Sequence, residues 1–413
     1  MTSLNHRFVV VCLCLILSSC FAAGFGGGKG NLESPYKLSE ASDIIELAEN
    51  EGSWGAVFEL TSDIDMAGID IKPFTQDMQN GFGGTIRGNG FTIKNITLKG
   101  IEGKYVGLFG VLSATSVISD LKIIDVDIDV NTPEGIEKDN YIYVGALAGC
   151  SRGKLINCEV TGNIKARSKD LVSAGGFGGR LEGSIIDHCY AEVSMDIASE
   201  GQSFAGGMVG YCYNSNMLNN ISNSIINAVG SERTYAGSIS GYSLDTSFNS
   251  CCSDEGKILT DCGGYSGGIT GYCYNGQIIN CYAENTVFSF DNGFAGGLAG
   301  GNYNSIIRDC FFNGRISLES MDSKGGTIAG FNVKSQILNC FWVYDSSMAD
   351  KAIVDGVFIG DVTMLTNKQI KAGGIFDEET WNADTPKDSL KPLWEIYENK
   401  LPTLNRVAQS PEK

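Results

Sequence analysis

The segment Ala295-Gly296-Gly297-Leu298-Ala299-Gly300 contains a block of the form Gly-x-φ-x-Gly, where φ is apolar, that recurs at intervals of 29 to 31 residues. The first glycines of the seven copies are Gly145, Gly175, Gly206, Gly237, Gly267, Gly296 and Gly326, and an eroded copy begins at Gly107. Units of this length cannot bury their own apolar faces, so they stack on one another. The repeat predicts an all-β fold, a right-handed parallel β-helix (β-solenoid) with coils of about 30 residues.

The two flanks of the array lack this block. Ser39 as the N-cap, followed by the apolar residues Ile44, Ile45, Leu47 and Ala48, predicts a short helix that covers the first coil. After Thr366 the sequence predicts an irregular C-terminal cap, because an uncovered last coil would expose unpaired strand edges. We therefore divide the chain into an export signal (1–20), a flexible leader, capping helix and first irregular coils (21–100), regular repeats (101–345) and a C-terminal cap (346–413).

The N-terminal residues have the pattern of an export signal, with the apolar run Phe8 to Leu17 after Arg7. This run is shorter than the roughly 20 residues that a membrane-spanning helix needs. Leu17-Ser18-Ser19-Cys20 resembles the bacterial lipobox, which makes Cys20 a candidate for lipidation, whereas cleavage after Ala22 or Ala23 would release a soluble protein. Either outcome predicts an exported protein that is secreted or located at the cell surface, for example anchored to the outer membrane.

The charge balance argues against nucleic acid as a partner. The chain has 30 basic and 48 acidic side chains, a net charge of −18, and removal of the export segment makes it about −19. Binding to a phosphate backbone needs a basic stripe, and the sequence shows none.

One column of the repeat is dominated by cysteine. It contains Cys158, Cys189, Cys251, Cys281, Cys310 and Cys340, with Asn220 in the remaining coil, and an apolar residue stands three positions before each. Two inward side chains three residues apart break the alternation of a strand, so a bend must lie between them. The residue just before the column fits that bend, because asparagine tolerates left-handed backbone; it is Asn157, Asn219, Asn280 and Asn339 in four coils and His188, Ser250 and Asp309 in the others. We interpret both columns as structural ladders, with a glycan-binding row as the weaker interpretation of the asparagines.

The cysteines do not have the spacing of a metal or redox site, because CxxC and HExxH motifs are absent. Residues in register on adjacent coils lie about 4.8 Å apart, whereas disulfides need Cβ atoms near 3.8 Å, so bonds along the column would be strained. Small buried apolar side chains are the better interpretation. One or two disulfides remain open among the five cysteines off this column, Cys150, Cys212, Cys252, Cys262 and Cys273. No cofactor is indicated.

Two sets of aromatic residues are candidates for a binding surface. Strand alternation predicts an outward row just after the cysteine column, in which Tyr190, Tyr282, Phe311 and Phe341 are the aromatic members. A second set, Tyr211, Tyr242, Tyr272 and Phe331, follows the last glycine of each block. Exposed aromatic rows can stack on sugar rings or contact protein, although caps or neighbouring loops could equally cover them.

Candidate catalytic residues are few. His188 is the only histidine beyond the export segment, and it lies in the bend column. Asp125, Asp127 and Asp129 share an outward strand face, an arrangement that is usually solvated and occasionally binds a cation. A glycoside hydrolase needs two converging carboxylates, which sequence cannot show.

The blocks quoted above, together with segments such as Ile279-Asn280-Cys281-Tyr282-Ala283, resemble the GLUG repeat of secreted and surface proteins of bacteria. The resemblance covers residues 101–345, and the flanks from Ser34 to Ser39 and from Phe82 to Ile93 agree with it. It implies a β-solenoid and extracellular placement, with members that include adhesin-like proteins and one group of surface proteases. Those proteases carry their chemistry in a separate metal-binding domain, which nothing in this sequence matches.

Two functions follow as hypotheses. The first is a non-enzymatic exported or cell-surface protein whose solenoid face contacts glycans or other surface proteins, in adhesion or envelope assembly, with the membrane involved only through a lipid anchor. The second is a polysaccharide lyase or hydrolase, since parallel β-helices host such enzymes, although fold alone is a weak argument for activity.

Overall fold

The computed structural model of this chain describes residues 24–101, 103–131, 141–261, 263–343, 351–357, 360–366, 369, 394–395 and 403–404. These residues form a parallel β-solenoid of about 9 coils, which confirms the predicted fold class. The predicted export signal, Cys20 and most of the predicted C-terminal cap lie outside the described residues.

Three parallel sheets run along the solenoid and are called sheets A, B and C below. Sheet C has eight strands: Tyr105–Val106, Tyr141–Gly145, Leu171–Gly175, Gln202–Gly206, Arg233–Gly237, Tyr265–Gly267, Phe294–Gly296 and Lys324–Gly326. Sheet B has nine: Val111–Leu112, Ala148–Ser151, Gly178–Glu182, Val209–Tyr213, Ser240–Leu244, Thr270–Tyr274, Ala299–Tyr303, Ala329–Val333 and Ile353–Gly356.

Sheet A is the largest, because each regular coil contributes two or three strands to it. Its 26 strands are Tyr36–Leu38, Val57–Leu60, Ile64–Asp65, Thr85–Arg87, Thr92–Lys94, Thr97–Lys99, Val117–Ser119, Lys122–Asn131, Lys154–Ile156, Glu159–Ser168, Ile185–Asp187, Tyr190–Ser199, Asn216–Leu218, Ile221–Ser222, Ile225–Gly230, Ser247–Asn249, Cys252–Ser253, Lys257–Thr260, Gln277–Ile279, Tyr282–Ala283, Thr286–Ser289, Ile306–Arg308, Phe311–Phe312, Arg315–Leu318, Gln336–Val343 and Gly360–Leu365. A separate antiparallel pair joins Trp394–Glu395 to Thr403–Leu404.

Each coil visits the sheets in the order C, B, A, and every strand pairs in parallel with its equivalent one coil away. Gly237, for example, pairs with Gly206 on one side and with Gly267 on the other. The register of the sheets therefore reproduces the register of the sequence repeat.

The repeated glycine block forms the connection between sheets C and B. The block from Gly296 to Gly300 is not one strand, although its apolar character suggests one: Phe294–Gly296 and Ala299–Tyr303 are separate strands, and the chain reverses direction between them. We call this connection the reversal. Its apolar residue, such as Ile239 or Leu298, points inward and is fully buried.

The two glycines of the block allow sheets B and C to approach at the reversal. A Cβ on Gly237 would lie 2.5 Å from Cα of Thr270 in sheet B, and one on Gly241 would lie 2.6 Å from the nitrogen of Ala205 in sheet C. Any larger residue would force backbone apart, so glycine is required sterically at both ends of the reversal.

The bend in sheet A has left-handed backbone in every regular coil. The φ angles lie between 48° and 57° at the bend residues Asn157, His188, Asn219, Ser250, Asn280, Asp309 and Asn339. Asparagine side chains also bond between coils, since Nδ2 of Asn157 donates to Asp120 (2.7 Å) and Nδ2 of Asn339 donates to Asp309 (2.7 Å).

The cysteine column lies inside the solenoid. Cys158, Cys189, Cys251, Cys281, Cys310 and Cys340 are all buried free thiols. The thiols donate to backbone carbonyls of the preceding coil, for example Cys251 to Met217 (3.4 Å). Where asparagine replaces cysteine, the Asn220 side chain accepts a hydrogen bond from the nitrogen of Cys189 (2.9 Å). The apolar residues three positions earlier are buried as well.

The N-terminal end differs from the sequence predictions in two details. The helix α1 spans Ala41–Glu49, and its N-cap is Glu40 instead of Ser39, because the Asp43 carboxylate accepts hydrogen bonds from both backbone nitrogens. The glycine-rich leader is not free: Phe25 is buried, and Gly26 donates to the carbonyl of Lys37 (3.2 Å).

Candidate functional site

The outer faces of sheets B and C meet in a cleft that runs along the solenoid. The reversal between these sheets reaches across the interior to sheet A: Oγ of Ser238 donates to the carbonyl of Ser222 (3.1 Å), and Nδ2 of Asn285 donates to that of Gly268 (3.1 Å). These hydrogen bonds hold the reversal close to sheet A, inside the solenoid. The sheet C strand before the reversal and the sheet B strand after it therefore diverge toward the outside, and side chains on their outer faces fill the space between the two strands.

Aromatic residues occupy this cleft in two columns. One column lies on sheet C, two residues before the first glycine of the block, and the other lies on sheet B, five residues after that glycine. We call the eight residues the aromatic seam: Phe204, Tyr235, Tyr265 and Phe294 on sheet C, and Tyr211, Tyr242, Tyr272 and Phe331 on sheet B.

The rings stack within each column and meet edge to face between columns. Tyr242 and Tyr272 are 5.5 Å apart with an interplanar angle of 4°, and Tyr235 and Tyr265 are 5.6 Å apart at 7°. Across the cleft, Tyr265 and Tyr272 are 5.0 Å apart at 90°. Both geometries are favoured by the ring quadrupole. The seam therefore holds the two sheets together where glycine leaves no side chain to do so.

In the sheet B column, the position between Tyr272 and Phe331 is occupied by Gly301 instead of an aromatic residue. The packing of the neighbouring rings explains this. A Cβ on Gly301 would lie 2.5 Å from Cε2 of Tyr272 and 2.9 Å from Cδ1 of Tyr265. The two rings already occupy that volume.

Arg180 extends the stack toward the N-terminus. Its guanidinium lies between the rings of Tyr143 (5.6 Å) and Tyr211 (5.7 Å), and it forms an ion pair with Glu182. Tyr143 in turn stacks on Tyr105 at 5.5 Å. A planar guanidinium can replace an aromatic ring in such a stack, which a lysine cannot do.

Basic side chains contact rings near both ends of the seam. The ring contacts are Lys104 with Tyr141 and Tyr143, Arg180 with Tyr143 and Tyr211, Lys324 with Phe294, and Lys334 with Tyr303, at 5.1 to 5.8 Å. Among the described residues, every cation–π contact lies on the outer faces of sheets B and C.

Burial changes the ionisation of the seam. Burial, together with the neighbouring phenols of Tyr235 and Tyr211, raises the pKa of Tyr242 to about 12. Burial likewise raises the pKa of Tyr272 and Tyr265. A hydrogen bond with Tyr235 raises the pKa of Arg233, so the phenols stay neutral and the guanidinium charged at physiological pH.

The stacking determines what this surface can offer to a ligand. Tyr235, Tyr265 and Phe294 stack face to face on sheet C, as do Tyr211, Tyr242 and Tyr272 on sheet B. These rings therefore present mainly edges and phenol groups, with cations beside them, instead of open ring faces. The rings are partly exposed, apart from Tyr235, which is buried. The arrangement suits a ligand that forms many hydrogen bonds along an extended track.

The aromatic row predicted to face solvent after the cysteine column does not form an exposed face. Tyr282 and Phe311 are only 6% and 1% exposed, so the prediction of an open surface there is wrong. Their rings pack against each other at 4.4 Å, and neighbours in register, Cys252 and Phe341, flank them. Tyr190 and Phe341 are half-buried, and the Tyr190 hydroxyl donates to Glu192 (2.6 Å).

The candidate catalytic residues have structural partners. His188 lies in the bend at a φ of 55°, and its Nδ1 is 2.7 Å from the Asp187 carboxylate. Asp127 pairs with Lys99 at 2.5 Å and Asp129 with Lys165 at 3.6 Å, as on an ordinary charged strand face. In the described part of the chain, no group of three or more His, Cys, Asp or Glu side chains could hold a metal ion.

Three of the cysteines outside the column, Cys150, Cys212 and Cys273, are buried free thiols. The buried Cys252 thiol donates a hydrogen bond to the Asp254 carboxylate (3.3 Å), and Cys262 lies outside the described residues. Burial raises the pKa of Cys150 and of Cys212 to about 12, which keeps both thiols protonated and unreactive.

Sequence reasoning found half of the seam. The sheet B column was identified as the second aromatic set. The sheet C column was missed, although Phe204, Tyr235, Tyr265 and Phe294 each stand two residues before a block glycine and could have been found by aligning the copies.

With its fold and seam established, the chain is a β-solenoid repeat protein. The sequence model of the GLUG motif matches residues 292–317, so the resemblance to GLUG-motif proteins is confirmed. In the described residues, no helix has the length and apolar character to span a membrane.

The chain is similar to parts of two much longer curated proteins. It is 30% identical over 159 residues to a "Putative Gly-rich membrane protein" of Evansella cellulosilytica, which covers 37% of this chain and 17% of that protein. It is 26% identical over 151 residues to "Halomucin" of Haloquadratum walsbyi, which covers 34% of this chain and 2% of that protein. Among solved structures, a "putative immunoglobulin A1 protease" from Bacteroides ovatus aligns over 92% of this chain and 95% of its own, with a TM-score of 0.45 and 16% identity.

Proposed function

We propose that this chain is a non-enzymatic, exported surface protein that uses the outer faces of sheets B and C to bind extracellular glycan. The observation that carries the proposal is the aromatic seam itself. It is a row of packed aromatic rings, five of them tyrosines, with basic side chains near both ends, on one side of the solenoid. Such polar, partly exposed aromatic surfaces are typical of contact sites.

The comparisons support the exported location as part of this proposal. One relative is described as a membrane protein and the other as halomucin, and the N-terminal sequence has the pattern of an export signal. Adhesion through a solenoid face also needs no catalytic group, which fits the structural roles found for His188 and the aspartate row.

The experiment is a glycan array screened with the purified protein and with one seam variant, in which Tyr211, Tyr242 and Tyr272 are replaced by phenylalanine. These substitutions keep the ring stack and remove three hydroxyl groups. We expect the protein to bind a subset of glycans and the seam variant to bind them at least fivefold more weakly. The control is Tyr190→Phe, which removes a hydroxyl from sheet A and should bind like the unmodified protein.

Two results would contradict the proposal. One is that the unmodified protein binds no glycan on the array. The other is that the seam variant binds with unchanged strength, which would place the contact elsewhere. Replacement of Tyr282 and Phe311 is not informative, because both are buried and their loss would disturb packing.

A further inference from the structure

We infer that the glycan bound by the seam is acidic, an extended carboxylate-bearing polysaccharide that lies parallel to the solenoid axis. This inference rests on the proposed function and adds the charge and orientation of the ligand.

The seam is locally basic on a strongly acidic protein. The chain as a whole has 48 acidic and 30 basic side chains. The charged groups that contact the seam or extend its stack are basic in four cases, Lys104, Arg180, Arg233 and Lys324, and acidic in two, Glu182 and Asp355. A polyanion is therefore attracted to this face and repelled by the rest of the surface, which fixes where it binds.

The neighbouring corner limits the path of the ligand. The turns between sheets A and C expose the acidic residues Glu232, Asp291 and Asp322 in three of the coils. A polyanion is repelled from that corner, so its track lies along the seam and not over those turns. On sheet B, Arg180 stands at the N-terminal end of the tyrosine column.

The basic groups are spread along the axis instead of gathered at one point. On sheet C, seven positions in register lead from Tyr143, which contacts Lys104, to Lys324, with Arg233 two residues before Tyr235 midway. Six rungs of about 4.8 Å make that distance about 29 Å. A single small anion could contact only one of these groups, whereas an extended polymer can contact several at once.

The test compares two polymers that differ only in charge, polygalacturonate and its fully methyl-esterified form. Both are titrated against the full chain at low and at physiological ionic strength. We expect polygalacturonate to bind at least tenfold more tightly than the ester, and its affinity to fall as salt is added, because exposed charges are screened.

Two charge-matched variants place the interaction on the molecule. The seam glutamine variant replaces Lys104, Arg233 and Lys324 with glutamine, and the control replaces the exposed sheet A residues Lys122, Lys154 and Lys165 with glutamine. Both lose three positive charges. We expect the seam glutamine variant to bind polygalacturonate about tenfold more weakly and the control to remain within twofold of the unmodified protein.

The outcomes separate this inference from the proposed function. If neutral glycans bind in a manner that the tyrosine hydroxyls control, while polygalacturonate and its ester bind equally, the ligand is not acidic and the proposed function stands. If the two glutamine variants lose affinity equally, binding follows net charge and the inference is overturned. If no glycan binds at all, both proposals are wrong.

Discussion

At the scale of single residues, the glycine block has its effect through backbone contacts that leave no space for a side chain. The second glycine of each block faces a strand of sheet C from the preceding coil. At Gly271, a Cβ would lie 2.6 Å from the nitrogen of Ala236 and 2.9 Å from the carbonyl oxygen of Tyr265. These are backbone atoms, which cannot rotate away as a flexible side chain can.

Gly271→Ala is therefore expected to destabilise the protein by about 1 to 3 kcal/mol, the usual cost of overpacking a well-packed site. The measurement is the urea midpoint of unfolding by circular dichroism. Gly55→Ala is the matched control, since a Cβ there has no heavy atom within 4 Å. A midpoint for Gly271→Ala equal to that of the control would contradict the steric explanation of the block.

The bend residue provides a second prediction at this scale. Asn157 has a φ of 52°, and its side chain donates to Asp120 at 2.7 Å. Asn157→Ala should cost about 1 to 2 kcal/mol, because alanine tolerates left-handed backbone poorly. Asn157→Gly removes the same hydrogen bond, but glycine adopts left-handed backbone without strain. The urea midpoint of Asn157→Gly should therefore lie between that of Asn157→Ala and that of the unmodified protein. If Asn157→Gly were as destabilising as Asn157→Ala, the lost stability would come from the hydrogen bond to Asp120 and not from the left-handed backbone.

At the scale of the strand, the seam decides how two sheets meet. Stacked rings within a column keep the coils in register, and edge-to-face contacts between columns close the cleft. This arrangement also withdraws the phenols from water, which raises the pKa of Tyr242 to about 12.

Alkaline titration tests this burial. A phenol whose pKa is higher in the folded than in the unfolded protein contributes stability that is present below its unfolded pKa, near 10, and is lost as pH rises toward 12. The urea midpoint should thus be constant up to about pH 10 and fall between pH 10 and 12. Tyr242→Phe should show a shallower fall, since one titrating group is removed.

Tyr213→Phe is the control for this titration, because Tyr213 is 42% exposed and lies outside the seam. Its midpoint should follow the pH dependence of the unmodified protein. If the urea midpoint fell equally steeply with pH in the unmodified protein and in both variants, Tyr242 would not be protected from water by the seam.

The strands also show which features a single sequence can predict. The strand Val57–Leu60 is predictable from sequence, because an alternation of apolar and polar residues between turn residues defines a half-buried strand locally. The position of the bend was likewise predictable, since two buried columns three residues apart require one. The inward course of the reversal was not predictable, because it depends on a contact between Ser238 in the reversal and Ser222 in sheet A, which are far apart in the coil.

The exposure of Phe311 illustrates the same limit for the candidate site. Alternation gives the side of the strand on which a side chain lies, and Phe311 does follow the inward Cys310. It does not give what packs on that side. The seam was half visible for the opposite reason: its sheet B column follows an obvious glycine, whereas the rings on sheet C precede the motif and need the copies to be aligned.

At the scale of the whole molecule, stability should be distributed over repeated units that contact only their neighbours. Each coil pairs in parallel with the one before and the one after, and the columns of glycine, cysteine and bend residues continue through the array. Any 30-residue segment that begins and ends at equivalent positions is thus structurally interchangeable with the next.

Deletion of residues 237–266, one complete coil, tests whether coils are interchangeable units. The deletion joins Ala236 directly to Gly267, which is equivalent to Gly237, so each remaining strand finds a partner in the correct register. We expect the shortened protein to keep the circular dichroism spectrum of a parallel β-sheet and to unfold cooperatively, with a urea midpoint somewhat below that of the full chain. Deletion of residues 237–251, half a coil, is the control; it brings a strand of sheet A to the position of sheet B and should prevent folding. If both deletions fold or both fail, the coils are not the independent structural units that the register implies.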